Sequence, residues 1–420
     1  MDIAAFATLG GDPAPPVHVR LGLSYVSAAH ALTNLQAEIP GWDFAAVLQQ
    51  TEAAWTRMLG QLEIDGPAPM RRQLATALYH NLLQPSLFDD VSGEYLGFDD
   101  NVHRIAAGHH KYVNFSNWDT YRTSAQLQAL LYPRETSDMA ESLRLDAAQR
   151  APAGIPIWGY FNNETHVMNG YSGVPWIANA HAFGARDYDQ RAMQQTLLAA
   201  TEQHYERGDS YRDRGYVSVV ERSWDFSVSR TLEYAIADFS LSQMSRALGD
   251  ATSGDRLHRR AQSVFQLLDP ATRYLRPRKD SGEWLADFSP RSEEGFNEGN
   301  SAQYTWSIPH NLSALISGLG GPAAAEARLD AFFAQILVDG WNTTEPYFWI
   351  ANEPCFGVPF VYCCLGQPWK TQDVLRRISA EFSPTPNGMP GDDDVGAMSA
   401  YRLWTALGLY PAIPGTADLS

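Results

Sequence analysis

Three consecutive carboxylates, Asp392, Asp393 and Asp394, stand just ahead of an apolar helical stretch. Charges so crowded repel one another. The turn is either simply solvated, or a cation or shared proton holds it together and lifts one carboxyl into the range of a base. Glu298 opens the segment Glu298-Gly299-Asn300-Ser301-Ala302-Gln303-Tyr304-Thr305-Trp306. There it either serves a helix dipole or offers its carboxyl to a ligand, which Gly299 lets come close. Gln303 and Trp306 follow along the same segment. In the loop from Asn114 to Thr123, Asp119 either caps the next helix or accepts from a sugar, with Trp118 as stacking face and Arg122 as donor. Glu164, in Asn163-Glu164-Thr165-His166, belongs to a cap network or, the preferred reading, a pocket wall. Asn352-Glu353-Pro354 presents hard oxygen donors suited to Ca²⁺, although no EF-hand spacing surrounds them. No HExxH, GxSxG, P-loop or GxGxxG pattern competes with these candidates.

Helices must carry most of these loops. Apolar spacing of helical period runs through Leu74, Ala77, Leu78 and Leu82, and again through Leu232, Ala235, Ile236 and Phe239. It predicts further helices over 28–37, 43–62, 119–131, 134–148, 174–184, 190–204, 254–267, 301–318, 322–337, 368–382 and 397–409. About a dozen helices without a repeat consensus suit a toroid of paired helices, an (α/α)6 barrel, better than a solenoid. Val17 to Tyr25 alternates like a strand, yet no second strand stands ready to pair with it.

Composition narrows the partners. The 420 residues carry a formal net charge of -17, which argues against nucleic acid and against an anionic membrane surface. No apolar run approaches the roughly 20 residues that span a bilayer, and the N-terminus shows no signal-peptide pattern. Hydrophobic residues at 45% and charged ones at 19% exclude a disordered chain. Aromatic residues at 12%, in an acidic chain, fit a protein that handles carbohydrate. Cys355, Cys363 and Cys364 form no disulfide framework and read as buried free thiols.

Together these segments resemble the catalytic region of glycoside hydrolase family 92, the calcium-dependent exo-acting α-mannosidases. The resemblance rests on LYHNLLQPSLFDD, YVNFSNWDTYRT, TLEYAIADFSLSQM, Glu298 with GNSAQYTW, NEP with GQPWKTQ, and GMPGDDDVGAMSAYRLWTALGLYPAIPG, in family order. It implies an (α/α)6 barrel over 19–420 and hydrolysis of terminal α-mannosidic bonds of mannose-rich glycans with inversion. By position, Glu298 matches the general acid and Asp394 the general base, with Asp392 assisting. Trp118 and Asp119 match residues that hold the terminal mannose; Arg122, Glu164, Trp306 and Asp393 complete the expected sugar site. Asn352, Glu353 and Gln303 match contributors to a calcium site.

The chain also departs from the resembled pattern. Cys355-Phe356-Gly357 stands where Ser-His-His usually follows NEP, and Pro309-His310-Asn311 where Pro-His-Asp is usual. Asn179 replaces a usual Asp. These changes are expected to touch leaving-group recognition more than the reaction. The family's N-terminal β-sandwich has no counterpart here, so 1–18 reads as the remnant of a linker to it. Self-association through the flank that domain would cover is then expected. A glycan-binding or inactive toroid is the alternative, although a pure binder needs no acid and base pair. The family usually works outside the cytoplasm.

Overall fold

The structure, a computed structural model, describes residues 17–151, 154–160, 162–202, 207–220 and 225–420. Most of the segment read as a linker remnant, 1–16, lies outside the described residues. The chain begins with α1 (Ala28–Glu38), α2 (Phe44–Leu59) and α3 (Ala68–Asn81). The short α4 (Asn117–Thr120) leads to α5 (Ser124–Leu131), α6 (Pro133–Gln149), α7 (Gly173–Ala182), α8 (Gln190–Thr201) and α9 (Gly208–Arg214). Then come α10 (Ser227–Ala247), α11 (Ala251–Ala261), α12 (Ser301–Tyr304), α13 (Leu312–Gly318) and α14 (Pro322–Phe332). The last are α15 (Val361–Cys364), α16 (Pro368–Ala380) and α17 (Ala397–Leu407).

Strands are few and short. β1 (Ser86–Leu87) pairs antiparallel with β4 (Tyr112–Val113), and β2 (Glu94–Leu96) with β3 (Val102–Arg104). β5 (Phe115–Ser116), β6 (Trp158–Tyr160) and β7 (Asn163–Glu164) make an antiparallel sheet of three. β8 (Ile336–Leu337) runs parallel to β9 (Phe348–Trp349). Among the described residues no β-barrel closes, and the molecule is mostly helical.

Local chemistry starts the helices. Asp43 caps α2 through the amide of Ala46, Asp189 caps α8 and Asp250 caps α11. Packing then decides which helices lie inside. α10 is buried almost all round, as a helix with neighbours on several sides must be. It packs on α7, α8, α9 and α11. Its buried Asp238 takes a two-pronged bond from Arg260 of α11, both at 2.6 Å, and a third from the Tyr211 hydroxyl. α17 packs on α3, α5 and α16, and α5 on α6 and α7. One large core joins Leu78, Leu232, Tyr304, Phe356 and Trp404, and a second joins Phe115, Trp176, Ile177 and Leu241.

Several expected helices are shorter or broken, each for a local reason. The helix expected over 119–131 divides into α4 and α5, because Thr123 leaves helical geometry and its hydroxyl donates to Ala397 O. That over 301–318 breaks before Pro309, which cannot continue an α-helical ladder, and restarts where Asn311 caps α13. The stretch over 254–267 ends as a 3₁₀ turn. α9 was not anticipated. Of the cysteines only Cys355 is buried; Cys364 is exposed.

The strand expected at Val17–Tyr25 is not one: the segment joins no sheet among the described residues. Its polar alternates face the protein instead. Arg20 Nη1 donates to Ile39 O and Gly41 O, and Ser24 Oγ to Asp90. A Cβ on Gly22 would lie 2.2 Å from Ala31 O, so only glycine lets the segment press on α1. The apolar alternates therefore face solvent, Val19 being 82% and Leu21 73% exposed.

Candidate active site

Three segments far apart in sequence converge on one group of carboxylates. The turn from β5 into α4 delivers Asp119, a 3₁₀ turn after Asn352 delivers Glu353, and the acidic turn before α17 delivers Asp394. One carboxylate oxygen of each lies within 4.8 Å of the others. Asp119 and Glu353 are buried and Asp394 is half-buried. Burial and the neighbouring carboxylates push Asp119 and Glu353 well above the ordinary range. Burial also raises Asp394, as do the charges of Asp392 and Asp393. Three such carboxyls share the space only if protons or a cation neutralise part of their charge.

The three groups offer only oxygen, the donor type a hard cation takes. Glu353 Oε1 is buried without a hydrogen-bond partner, an orphaned acceptor that a cation would satisfy. The residues present therefore fit Ca²⁺.

Glu298 stands beside this cluster. The Asn352 amide donates to its backbone oxygen at 2.7 Å. Burial, and then the Asp394 charge, push its carboxyl up to about 7. Glu298 and Asp394 both have left-handed backbone, at φ 51° and 42°. That conformation is uncommon outside glycine and is held here by surrounding structure. After Glu298, Asn300 and Gln303 form a reciprocal capping box that starts α12.

Asp394 opens on a cleft of about 690 Å³ walled by His80, Trp158, Tyr160, Thr165 and Val167. Asp393 stands at its edge, accepts the amide of Ser399 at 2.9 Å, and so anchors the start of α17. Asp392 is exposed beside it.

Other candidates are occupied elsewhere. Trp118 is 1% exposed, and the Arg122 guanidinium lies 4.7 Å from its ring centroid. It therefore presents no open face to a sugar, which corrects the stacking platform read from sequence. Arg122 donates to Glu233 at 2.7 Å, and the Tyr121 hydroxyl donates to the same carboxylate. Glu164 accepts the amides of Ile157, Trp158 and His166, so it shapes the β6–β7 turn; the cap-network reading, not the pocket wall, describes it. Trp306 is core, 3% exposed and packed near Phe332. Gln303 spends its amide on Asn342 O and Glu345 O and its oxygen on the Asn300 amide, which leaves it out of the carboxylate cluster.

The departures at Asn179, Pro309, His310, Asn311 and Gly357 gather around a different cavity of about 350 Å³. It shares no wall residue with the Asp394 cleft but is lined by Glu353, so it too borders the carboxylate cluster.

Sequence reasoning missed Glu233 and the cleft aromatics Trp158 and Tyr160. Glu233 lay inside the quoted segment TLEYAIADFSLSQM, where a carboxylate beside the apolar positions Leu232, Ala235 and Ile236 was the available signal.

The model of the glycosyl hydrolase family 92 catalytic domain matches residues 30–420. A family 92 α-mannosidase from Bacteroides thetaiotaomicron has a similar structure, with a TM-score of 0.88 at 31% identity, over 94% of this chain and 53% of that one. An inverting mannosidase of the family from the same organism gives 0.83 at 26% identity, over 93% and 56%. An uncharacterized secreted glycosidase of Arthroderma benhamiae is 23% identical over 94% of this chain and 51% of its own length. The chain thus spans about half the length of these relatives.

Proposed function

The chain belongs to glycosyl hydrolase family 92, and from that premise we propose that it is an exo-acting, inverting α-mannosidase that removes terminal mannose from mannose-rich glycans. The observation that carries this reading is the pairing of two half-buried carboxyls, Glu298 and Asp394, in which burial and the Asp394 charge favour the protonated form of Glu298. Glu298, holding its proton to about pH 7, protonates the departing glycosidic oxygen. Asp394 takes the proton from water attacking the opposite face of the sugar, and inversion follows. Asp392, exposed beside it, assists that water.

Asp119, Glu353 and Asp394 would hold Ca²⁺, with Asn352 next to them. When bound, the ion supplies positive charge that favours a mannose with its cis O2 and O3 hydroxyls. Asp119 and the indole N–H of Trp118, which is buried without a partner, would be the polar groups that hold that sugar. The helices alternate in contact between α5, α7, α10 and α17 on one side and α3, α6, α8, α11 and α16 on the other, which supports an (α/α)6 barrel over 19–420.

Release of free mannose from linkage-defined α-mannobioses, with and without calcium, tests the proposal. Binding of these sugars without any release would favour the glycan-binding toroid instead.

A further inference from the structure

Among the described residues two arginines are buried, Arg122 and Arg402. Arg122 meets Glu233. Arg402 has no such partner. It is 5% exposed and pairs with no carboxylate among the described residues. Its Nη2 reaches only the neutral Gln73 Oε1, at 3.2 Å, and its Nε is buried with no partner. Burial pushes its pKa down and no carboxylate charge offsets that.

Arg402 lines a cavity of about 340 Å³ between α3, α17 and the loop 382–389. Arg72, Gln73, Thr76 and Ser399 also line it, and no Asp or Glu does, in a chain with 48 of them. Ser399 Oγ is a second buried group there without a partner. A cavity lined by unsatisfied donors and cations, and free of carboxylate, lacks an anionic acceptor.

We infer that this cavity binds a small oxyanion of the phosphate or sulfate class, with Arg402 as its buried counter-charge and Ser399 and Arg72 as further donors. The inference does not rest on the proposed reaction, although the site adjoins it. The loop 382–389 runs on into the acidic turn at 392–394. His80 lines this cavity and stands 3.8 Å from Asp393, and the Ser399 amide donates to that same carboxylate. An anion bound here would tie α3, α17 and the loop together directly behind Asp394.

Thermal unfolding of the full chain in phosphate, sulfate and chloride at matched ionic strength tests this. Phosphate and sulfate should raise Tm saturably over chloride, by on the order of 2 °C. Arg402→Met should abolish the saturable rise and, without anion, melt no lower than the wild type, because it removes an unpaired buried charge. Arg71→Gln, an equal change of charge on an exposed residue outside the cavity, should keep the rise. Ser399→Ala should raise the half-saturating concentration at least threefold, which serves if Arg402→Met does not fold. A phosphorylated monosaccharide separates two sources of the anion. Half-saturation equal to that of phosphate means a free ion, and tenfold tighter binding means an anion carried on a larger ligand. A rise that does not saturate, or one that neither Arg402→Met nor Ser399→Ala alters, overturns the inference.

Discussion

A carboxyl that keeps its proton near neutrality is the residue on which the proposed reaction turns. Glu298→Gln cannot donate that proton, so cleavage of an α-mannobiose should fall by about 10²–10⁴-fold. Aryl mannosides with acidic leaving groups should lose far less, because their departure needs little protonation. Asp394→Asn should depress both substrates, since water activation is needed whatever leaves. Equal loss on both substrates in the Glu298 variant would assign that residue a structural role. The sign of the pH dependence follows from the direction of the shift. The Glu298 pKa is raised to about 7, so the acid is present below that pH and is lost as pH climbs through it. The alkaline limb of kcat/KM should therefore bend near 7, and Glu298→Gln should remove it. At this scale the sequence was half legible. Residue types suggested a sugar acceptor at Asp119, an oxygen ligand at Glu353 and a base at Asp394, but only the fold brings the three together. The burial of Trp118 and Trp306 depends on what packs over them, Arg122 for one and Phe332 for the other, and local spacing carries no trace of that.

The elements matter because they fix those side chains on backbone that would not adopt such geometry alone. Asp394 and Val395 have positive φ, and Gly396 follows at φ 94° before α17 begins. A Cβ on Gly396 would lie 2.8 Å from the Cα of Asn81, at the end of α3. Gly396→Ala should thus cost about 1–3 kcal/mol and shift the acidic turn, lowering kcat with it. Gly408 provides the control. It closes α17 at φ 69°, with nothing within 4 Å of an added Cβ. Gly408→Ala should cost about 1 kcal/mol from φ alone and leave kcat unchanged. Denaturant melts and steady-state kinetics on the two variants separate these outcomes; a Gly396→Ala enzyme with wild-type kcat would detach the turn from the chemistry. Helix existence was readable from the 3.6-residue period, as α6, α10 and α16 attest. Helix ends were less so, because they follow tertiary demands such as the Thr123 bond to Ala397 O, or a proline whose effect depends on its neighbours.

Across the whole molecule, two features join distant parts of the chain. The carboxylates at 119, 353 and 394 come from three separate segments, so a cation that they hold would bind the folded chain and not the unfolded one. Added Ca²⁺ should then raise Tm as well as activity, by RT ln(1 + [L]/Kd) of stability, and Mg²⁺ should do so less because it prefers a tight octahedral shell. Asp119→Asn should blunt the calcium shift, and an unchanged Tm after verified calcium addition would argue against the site. The second feature is the flank formed by the segment 17–25 and the first helices. Sequence alternation at Val17–Tyr25 suggested a strand with an apolar face, but its polar alternates bind the backbone just after α1 and Asp90 and turn that face outward. Leu23 is 72% exposed there, with Trp42 at 61% and Phe44 at 66% close in sequence. Water wets such a surface at a free-energy cost of about 25 cal/mol per Å² of apolar area, which a second chain could recover by covering it. We expect light scattering to give a mass above the 46.6 kDa monomer that rises with concentration. Leu21→Asp with Leu23→Asp should return it to the monomer. Both positions are exposed, so the fold and the activity of each monomer should persist. A wild-type protein that stays monomeric at high micromolar concentration would show that this apolar flank tolerates water unaided.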